Sequence, residues 1–476
     1  MTANSYTIPT EKIIERLVSE NPWWKSKSID DSLNRMKRRL YFDLIFPQIK
    51  DISLRRTILL MGPRRVGKTV MLYHAIQELI KKNAAPDSIF FVGIDNPLYI
   101  NMGLEELLHL AVKASGRERM EGNYVFFDEI QYLKDWERHL KVLTDRYPKT
   151  KFVVSGSAAA ALRLRSTESG AGRFHDFILP PLTFQEFLYL RDMEHLVQPT
   201  EILSEGKKIP FYKSFDIKAL NEQFFRYINY GGYPEILFDT TVRNDLPEYI
   251  KNDIIDKVLL RDLPGIYGIR DVQELNRFFT YLAYNTGKEF SPQTIAKDSG
   301  LKTEVIKRYI EYLEAAFLIN VVTKVDENAR YFKRITGFKV YLTNSSLRTA
   351  LFAPVAASDD ESGSMVETAI YSQWMHRGHS RLHYAKWKTG RKEGEVDMVQ
   401  LHAGKLKPEW ALEIKWSNRY VEKPHELKSL LSFCSQNKLS AATITTIDKQ
   451  TQIVHDGIEL NFLPASLYAY AAGVDS

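Results

Sequence analysis

An α/β chain built on a parallel sheet is the fold class this sequence predicts, and three stretches predict it. Thr57-Ile58-Leu59-Leu60-Met61 is a short apolar run that reads as a buried strand, and Val70 to Lys82 behind it reads as a helix. Tyr124-Val125-Phe126-Phe127 leads into Asp128 and Glu129, and Lys151-Phe152-Val153-Val154 leads into Ser155-Gly156-Ser157. Strands alternating with helical stretches over residues 57–190 argue for parallel strands with helices on both faces. On such sheets ligands collect at the carboxyl ends of the strands, where all three runs turn polar.

The loop between the first strand and its helix is Gly62-Pro63-Arg64-Arg65-Val66-Gly67-Lys68-Thr69. It fits the phosphate-binding pattern G-x-x-x-x-G-K-[ST] at every position. Glycines let the backbone curl so that successive N–H groups and a helix N-terminus face an anion. A chance match arises in about one or two chains per hundred of this length, so phosphate binding is the stronger reading. Lys68 is expected to reach the β- and γ-phosphates of ATP, and the Thr69 hydroxyl to ligate Mg²⁺. Asp128 would hold the metal shell through water, and Glu129 would orient or deprotonate the attacking water. Ser157 at the end of the third strand would stand between the two halves and sense the γ-phosphate; an ordinary Ser-Gly turn is the competing reading.

Composition narrows the setting. The 476 residues suffice for two to four domains, with 44% hydrophobic and 26% charged residues, as in a globular protein outside membranes. No apolar window is long enough to span a bilayer, and the N-terminus lacks the features of a signal peptide. Cys434 is the sole cysteine, which excludes intrachain disulfides and cysteine metal clusters. The expected location is the cytoplasm, with no membrane partner. A net charge of +6 is compatible with a polyanionic partner without establishing one.

The remaining sequence divides by pattern. Residues 1–56 read as a helical segment with an apolar stripe of Ile13, Ile14, Leu17 and Val18, ahead of the 57–190 core. Residues 191–271 read as a helical lid or linker interrupted by Tyr230-Gly231-Gly232-Tyr233-Pro234-Glu235. In 272–345, three helical stretches and two strands (318–325 and 331–341) read as a winged helix-turn-helix exposing Lys302, Lys307 and Arg308. Contact with DNA and docking to a protein are equal alternatives for it. Residues 356–364 are the best linker candidate.

Residues 346–476 read as a further α/β domain. Asp397, Glu413 and Lys415 form D-x15-E-x-K, the arrangement of Mg²⁺-dependent nucleases. Asp397 and Glu413 would hold the metal, and Lys415 would orient or help deprotonate water. Strand alternation puts Glu413 and Lys415 on one face, with Trp410, Leu412, Ile414 and Trp416 on the other. Glu367 sits on a helical stripe with Ile370, Tyr371 and Trp374 and would point toward the same hairpin. About one such spacing arises per chain by chance, so the inward Glu and the clean alternation carry the reading. A solvated hairpin with an ordinary ion pair is the alternative.

Taken in order, Gly62 to Thr69, Asp128 to Gln131, Gly156-Ser157, Ala171 to Leu188 and Tyr230 to Glu235 resemble the prokaryotic AAA+-type P-loop ATPases with a C-terminal domain of uncharacterised function. The resemblance spans nearly the whole chain. It implies a P-loop NTPase core with a winged helix and a restriction-endonuclease-like PD-(D/E)XK domain behind it. It also singles out Arg173, which by analogy would approach a γ-phosphate of its own or a neighbouring chain; pairing with an acid such as Asp176 is the alternative. The expectation is therefore a Mg²⁺-dependent ATPase coupled to a DNA-binding or nuclease-like module. The alternative is a signalling or defence switch whose C-terminal domain binds a protein partner or a second copy of the chain. A remodelling ATPase is a third.

Overall fold

The structure, a computed structural model, describes residues 9–156, 172–204, 207–238, 246–329, 337–374, 382–389, 392–402, 404 and 407–474. Two compact units emerge, Met1–Pro180 and Pro181–Ser476. The division falls inside the stretch expected as a 57–190 core. The candidate linker at 356–364 lies within the second unit, held by bonds such as Trp416 Nε1 to the Ala357 carbonyl at 3.0 Å.

The first unit is a five-stranded sheet of β1 (Thr57–Met61), β2 (Ile89–Gly93), β3 (Tyr124–Asp128), β4 (Lys151–Gly156) and β5 (Phe174–Ile178), in the order β2-β3-β4-β1-β5. Every pairing is parallel. Strands covered on both faces read as continuous apolar runs, and β1, β2 and β4 are buried at every residue. Helix α1 (Thr10–Glu20) buries Ile13 and Leu17 from the expected stripe. This N-terminal segment closes the edge of the sheet at β2. Asn21 exchanges bonds with Phe91 N and O at 2.7 and 2.8 Å. Trp23 and Trp24 donate to the Ile89 carbonyl at 3.0 and 2.8 Å. Outward-facing polar groups of edge strand β2 are thereby satisfied.

In the second unit, the stretch 191–271 expected as a helical lid or linker also contains two strands. Strands β6 (Gln198–Ser204) and β7 (Lys207–Lys213) form an antiparallel hairpin there. Pro199 and Pro210 disfavour a helix interior and suit edge strands, and both strands of a two-stranded sheet are edges. The Gly231-Gly232 pair marks close packing: a Cβ at Gly232 would lie 2.5 Å from the Asn344 side chain. Next come α2 (Val272–Tyr284), β8 (Glu289–Phe290), α3 (Pro292–Ser299), α4 (Thr303–Ala315), β9 (Ile319–Val325) and β10 (Phe338–Leu342). Strand β8 was not expected; two residues are too few for periodicity to register. The N-terminal part of the expected strand 331–341 lies outside the described residues up to 336.

Helix α5 (Ser362–Trp374) is followed by an antiparallel meander of β11 (Leu382–Thr389), β12 (Lys392–Leu401) and β13 (Pro408–Glu413). Helix α6 (Lys428–Asn437) then crosses to β14 (Ala441–Thr446), which lies parallel to β13. Strands β15 (Thr451–His455) and β16 (Ile458–Pro464) complete one nine-stranded sheet, β15-β16-β14-β13-β12-β11-β9-β10-β8. The stretches expected as 272–345 and 346–476 thus share a sheet, joined where β9 pairs with β11.

Candidate functional site

The loop after β1 is shaped by its glycines. Gly62 has φ 156°, and a Cβ there would stand 2.0 Å from the Leu179 carbonyl oxygen. Gly67 takes the left-handed region, φ 90°, directly before the helix Lys68–Lys81. The start of that helix therefore faces the loop with the N–H groups of its first turn. Lys68 is buried and donates from Nζ to the Gly62 and Pro63 carbonyls at 3.0 and 2.6 Å. Its ammonium thus lies inside the curl where a phosphate would be gripped. Val66 is fully buried, while Arg64 reaches outward to the Tyr132 hydroxyl at 3.2 Å. Pro63 serves through its carbonyl, and Arg65 adopts a positive φ of 63°.

Strand order brings the second half of the site into reach. Strand β4 lies between β1 and β3, with Leu60 beside Ser155 and Gly93 beside Asp128. Thr69 Oγ1 donates to Asp128 Oδ2 at 2.7 Å, and the Ser155 hydroxyl donates to Asp128 Oδ1. Glu129 N donates to Ser155 Oγ at 3.2 Å. Glu129 stands in the left-handed region, φ 55°, and its carboxylate accepts from the Gln131 amide. Burial raises the Asp128 pKa, the neighbouring Glu129 charge adds to that, and the Ser155 and Thr69 hydrogen bonds oppose it. A buried carboxylate beside a threonine hydroxyl is a donor set suited to Mg²⁺.

Two expected residues behave differently. Ser157 lies outside the described residues, and Ser155 is the serine that joins the halves of the site. Arg173 is at the amino end of β5: its carbonyl accepts from Thr57 N at 2.9 Å, at the opposite end of β1 from Gly62. Its guanidinium pairs with Asp145 at 2.8 Å rather than with Asp176. That position turns it away from its own chain's phosphate loop. Sequence reasoning also missed Arg39, a buried residue donating to the Val66 and Pro180 carbonyls at 3.0 and 2.7 Å. It lies in the connection between the helices Asp31–Arg35 and Phe42–Lys50, where no local pattern signals that it braces the loop.

Residues 54–188 match the AAA domain. An AAA-type domain with this loop suggests nucleotide binding. Residues 221–359 match a domain of unknown function, DUF8612. An uncharacterised protein of Haemophilus influenzae is 22% identical over 422 residues, 87% of this chain and 94% of its own. Another, from Methanocaldococcus jannaschii, is 25% identical over 76% of each chain. The solved structure of Aeropyrum pernix ORC2 in ADPNP–ADP complexes shares 12% identity, with a TM-score of 0.36 over 71% of this chain and 96% of that one.

The second unit brings Asp397, Glu413 and Lys415 together. Met398 pairs with Leu412, which sets Asp397 across from Glu413. Lys415 Nζ bridges Glu413 Oε1 at 2.8 Å and Asp397 Oδ2 at 3.2 Å, and Ile414 N also donates to Asp397 Oδ2 at 2.8 Å. Leu412, Ile414, Trp410 and Trp416 pack in one core as expected. Glu413 is 8% exposed, and its Oε2 has no hydrogen-bond partner. Burial, followed by the Asp397 charge, pushes its pKa up to about 7. Glu367 does point inward, but Lys339 and Tyr341 of β10 hold its Oε1. Among the described residues, no group of three or more His, Cys, Asp or Glu side chains is placed to hold a metal. None of the described helices is long and apolar enough to cross a membrane.

Proposed function

We propose that this chain is a Mg²⁺-dependent ATPase whose nucleotide state controls a nucleic-acid-binding module in its second unit. The observation that carries the reading is the Thr69–Asp128–Ser155–Glu129 chain of hydrogen bonds. It ties the phosphate loop to the acid that would handle water. Lys68 grips the β- and γ-phosphates in place of the two carbonyls it now holds. Glu129, held by Gln131 and by Ser155 through its backbone, orients the attacking water and takes its proton. Mg²⁺, held by Thr69 and through water by Asp128, would neutralise charge on the phosphates when bound.

Residues 272–345 fit a winged helix in this reading. The exposed Lys302, Lys307 and Arg308 would face a phosphate backbone. Residues 346–476 fit a nuclease-like fold in which Asp397 and Glu413 would hold one Mg²⁺, Glu413 Oε2 being the buried oxygen that lacks a hydrogen-bond partner. Arg173, which pairs with Asp145, would meet a nucleotide only on a neighbouring chain, after giving up that pair. A second reading, a switch that binds a protein partner without cutting, is favoured by one observation: Lys339 already occupies Glu367.

The test is steady-state ATP hydrolysis by the full chain, with and without DNA, beside Glu129→Gln. The proposal expects turnover that falls at least about 100-fold in the variant while ATP still binds. Hydrolysis unchanged in Glu129→Gln would overturn the assignment. DNA affinity that depends on nucleotide and on salt supports the nucleic-acid reading; affinity only for a protein partner supports the second.

A further inference from the structure

A lysine buried in an apolar strand is costly unless carboxylates surround it. Lys339 stands in β10 between Phe338, 5% exposed, and Val340, fully buried, and its own side chain is 4% exposed. Its Nζ pairs with Glu367 Oε1 at 3.1 Å and Glu395 Oε1 at 2.8 Å, over the Tyr384 ring at 5.3 Å from the centroid. Glu395 Oε2 goes to Lys386 at 3.0 Å. Glu289 and Lys324 extend the network, with Lys386 also on Glu289 at 2.8 Å and Lys324 on it at 3.1 Å.

The charge balance of this cluster is informative. With every carboxylate ionised, Glu367, Glu395, Asp397 and Glu413 would face the ammonium groups of Lys339, Lys386 and Lys415 with one negative charge in excess, an excess that burial opposes by raising the pKa of Glu367 and Glu413. Glu289 and Lys324 add one of each sign. Glu413 Oε2 is the buried oxygen without a hydrogen-bond partner.

We propose that Lys339 is the built-in cation of this acidic site. It stands where a second divalent ion would otherwise be held and limits the site to a single divalent cation beside Asp397 and Glu413. Glu367 is then a charge partner of Lys339 rather than a metal ligand. The single-ion part rests on the nuclease-like reading above; the role of Lys339 does not.

The experiment is Mn²⁺ binding without nucleotide, counted by electron paramagnetic resonance. It uses the full chain carrying Asp128→Asn, which removes the carboxylate proposed to hold Mg²⁺ beside the phosphate loop. One ion is expected in this parent, two in Lys339→Met, and one again in Lys339→Met with Glu367→Gln. An unchanged count in a folded Lys339→Met variant would overturn the proposal. A parent that binds none, with a gain to one in Lys339→Met, would sink the metal reading at Asp397 and Glu413 while supporting Lys339 as the resident cation. If Lys339→Met does not fold alone, millimolar Mn²⁺ should restore a cooperative melt; failure of that rescue overturns the proposal.

Discussion

Single residues in this chain do work that their sequence positions only partly announce. Ser155 ties Asp128 to the backbone of Glu129, so Ser155→Ala should leave ATP affinity within a few-fold and lower kcat by about 10- to 100-fold through lost positioning. Rapid-quench hydrolysis separates the two effects. Lys151 makes a pH-dependent contribution at the far end of the sheet. It is 2% exposed, its Nζ donates to the Leu54 carbonyl at 3.2 Å, and burial pushes its pKa down to about 8 with only partial relief from Asp51. Between that value and its unfolded value near 10.5 the unfolded chain holds more protons, so stability rises with pH across this window. Lys151→Met should raise stability at pH 7 by about 1–2 kcal/mol and flatten the rise toward pH 9.5 in urea titrations. A variant less stable at pH 7, with the slope intact, would contradict this account.

At the level of elements, legibility followed local periodicity. Strands β1, β3 and β4 were readable because buried parallel strands are continuous apolar runs ending in polar residues. The phosphate loop was readable because its chemistry is contiguous. Partners far apart in sequence were not. The packing of Asn21, Trp23 and Trp24 on β2 joins residues 65 to 70 positions apart in sequence, and no pattern within 1–56 points to Ile89 or Phe91. The β6–β7 hairpin was lost among helical-looking neighbours, although Pro199 and Pro210 argue against helix. Lys339 did leave a signal, a lone charge inside the apolar strand Phe338–Leu342, but its meaning needed Glu367 and Glu395 beside it. One element-scale prediction tests the edge closure. Asn21→Ala leaves Phe91 N and O without these partners and should cost about 1–3 kcal/mol, with faster amide exchange along β2. Exchange unchanged at Phe91 would mean that water or another group satisfies that edge.

Across the molecule, two compact units carry two separate clusters of ionisable groups. The first has the strand order, the loop and the hydrogen-bonded Asp128–Ser155–Glu129 group on which the proposed ATPase reading rests, and its residues 54–188 match the AAA domain. The second joins a helix-rich module and a meander into a single sheet whose clustered acidic residues pair with lysines and outnumber them by one. The D-x15-E-x-K spacing predicted which three residues would meet, and they do. Glu367 was drawn instead to a cation that the spacing did not include.

The central claim is that the loop from Gly62 to Thr69 binds ATP. The most direct measurement is isothermal titration of the full chain with ATP and Mg²⁺, beside Lys68→Ala. One ATP should bind per chain, with affinity reduced about 100-fold or more in the variant, corresponding to roughly 2.7 kcal/mol. Equal affinity in the two proteins, or no heat of binding in either with both folded, would contradict it.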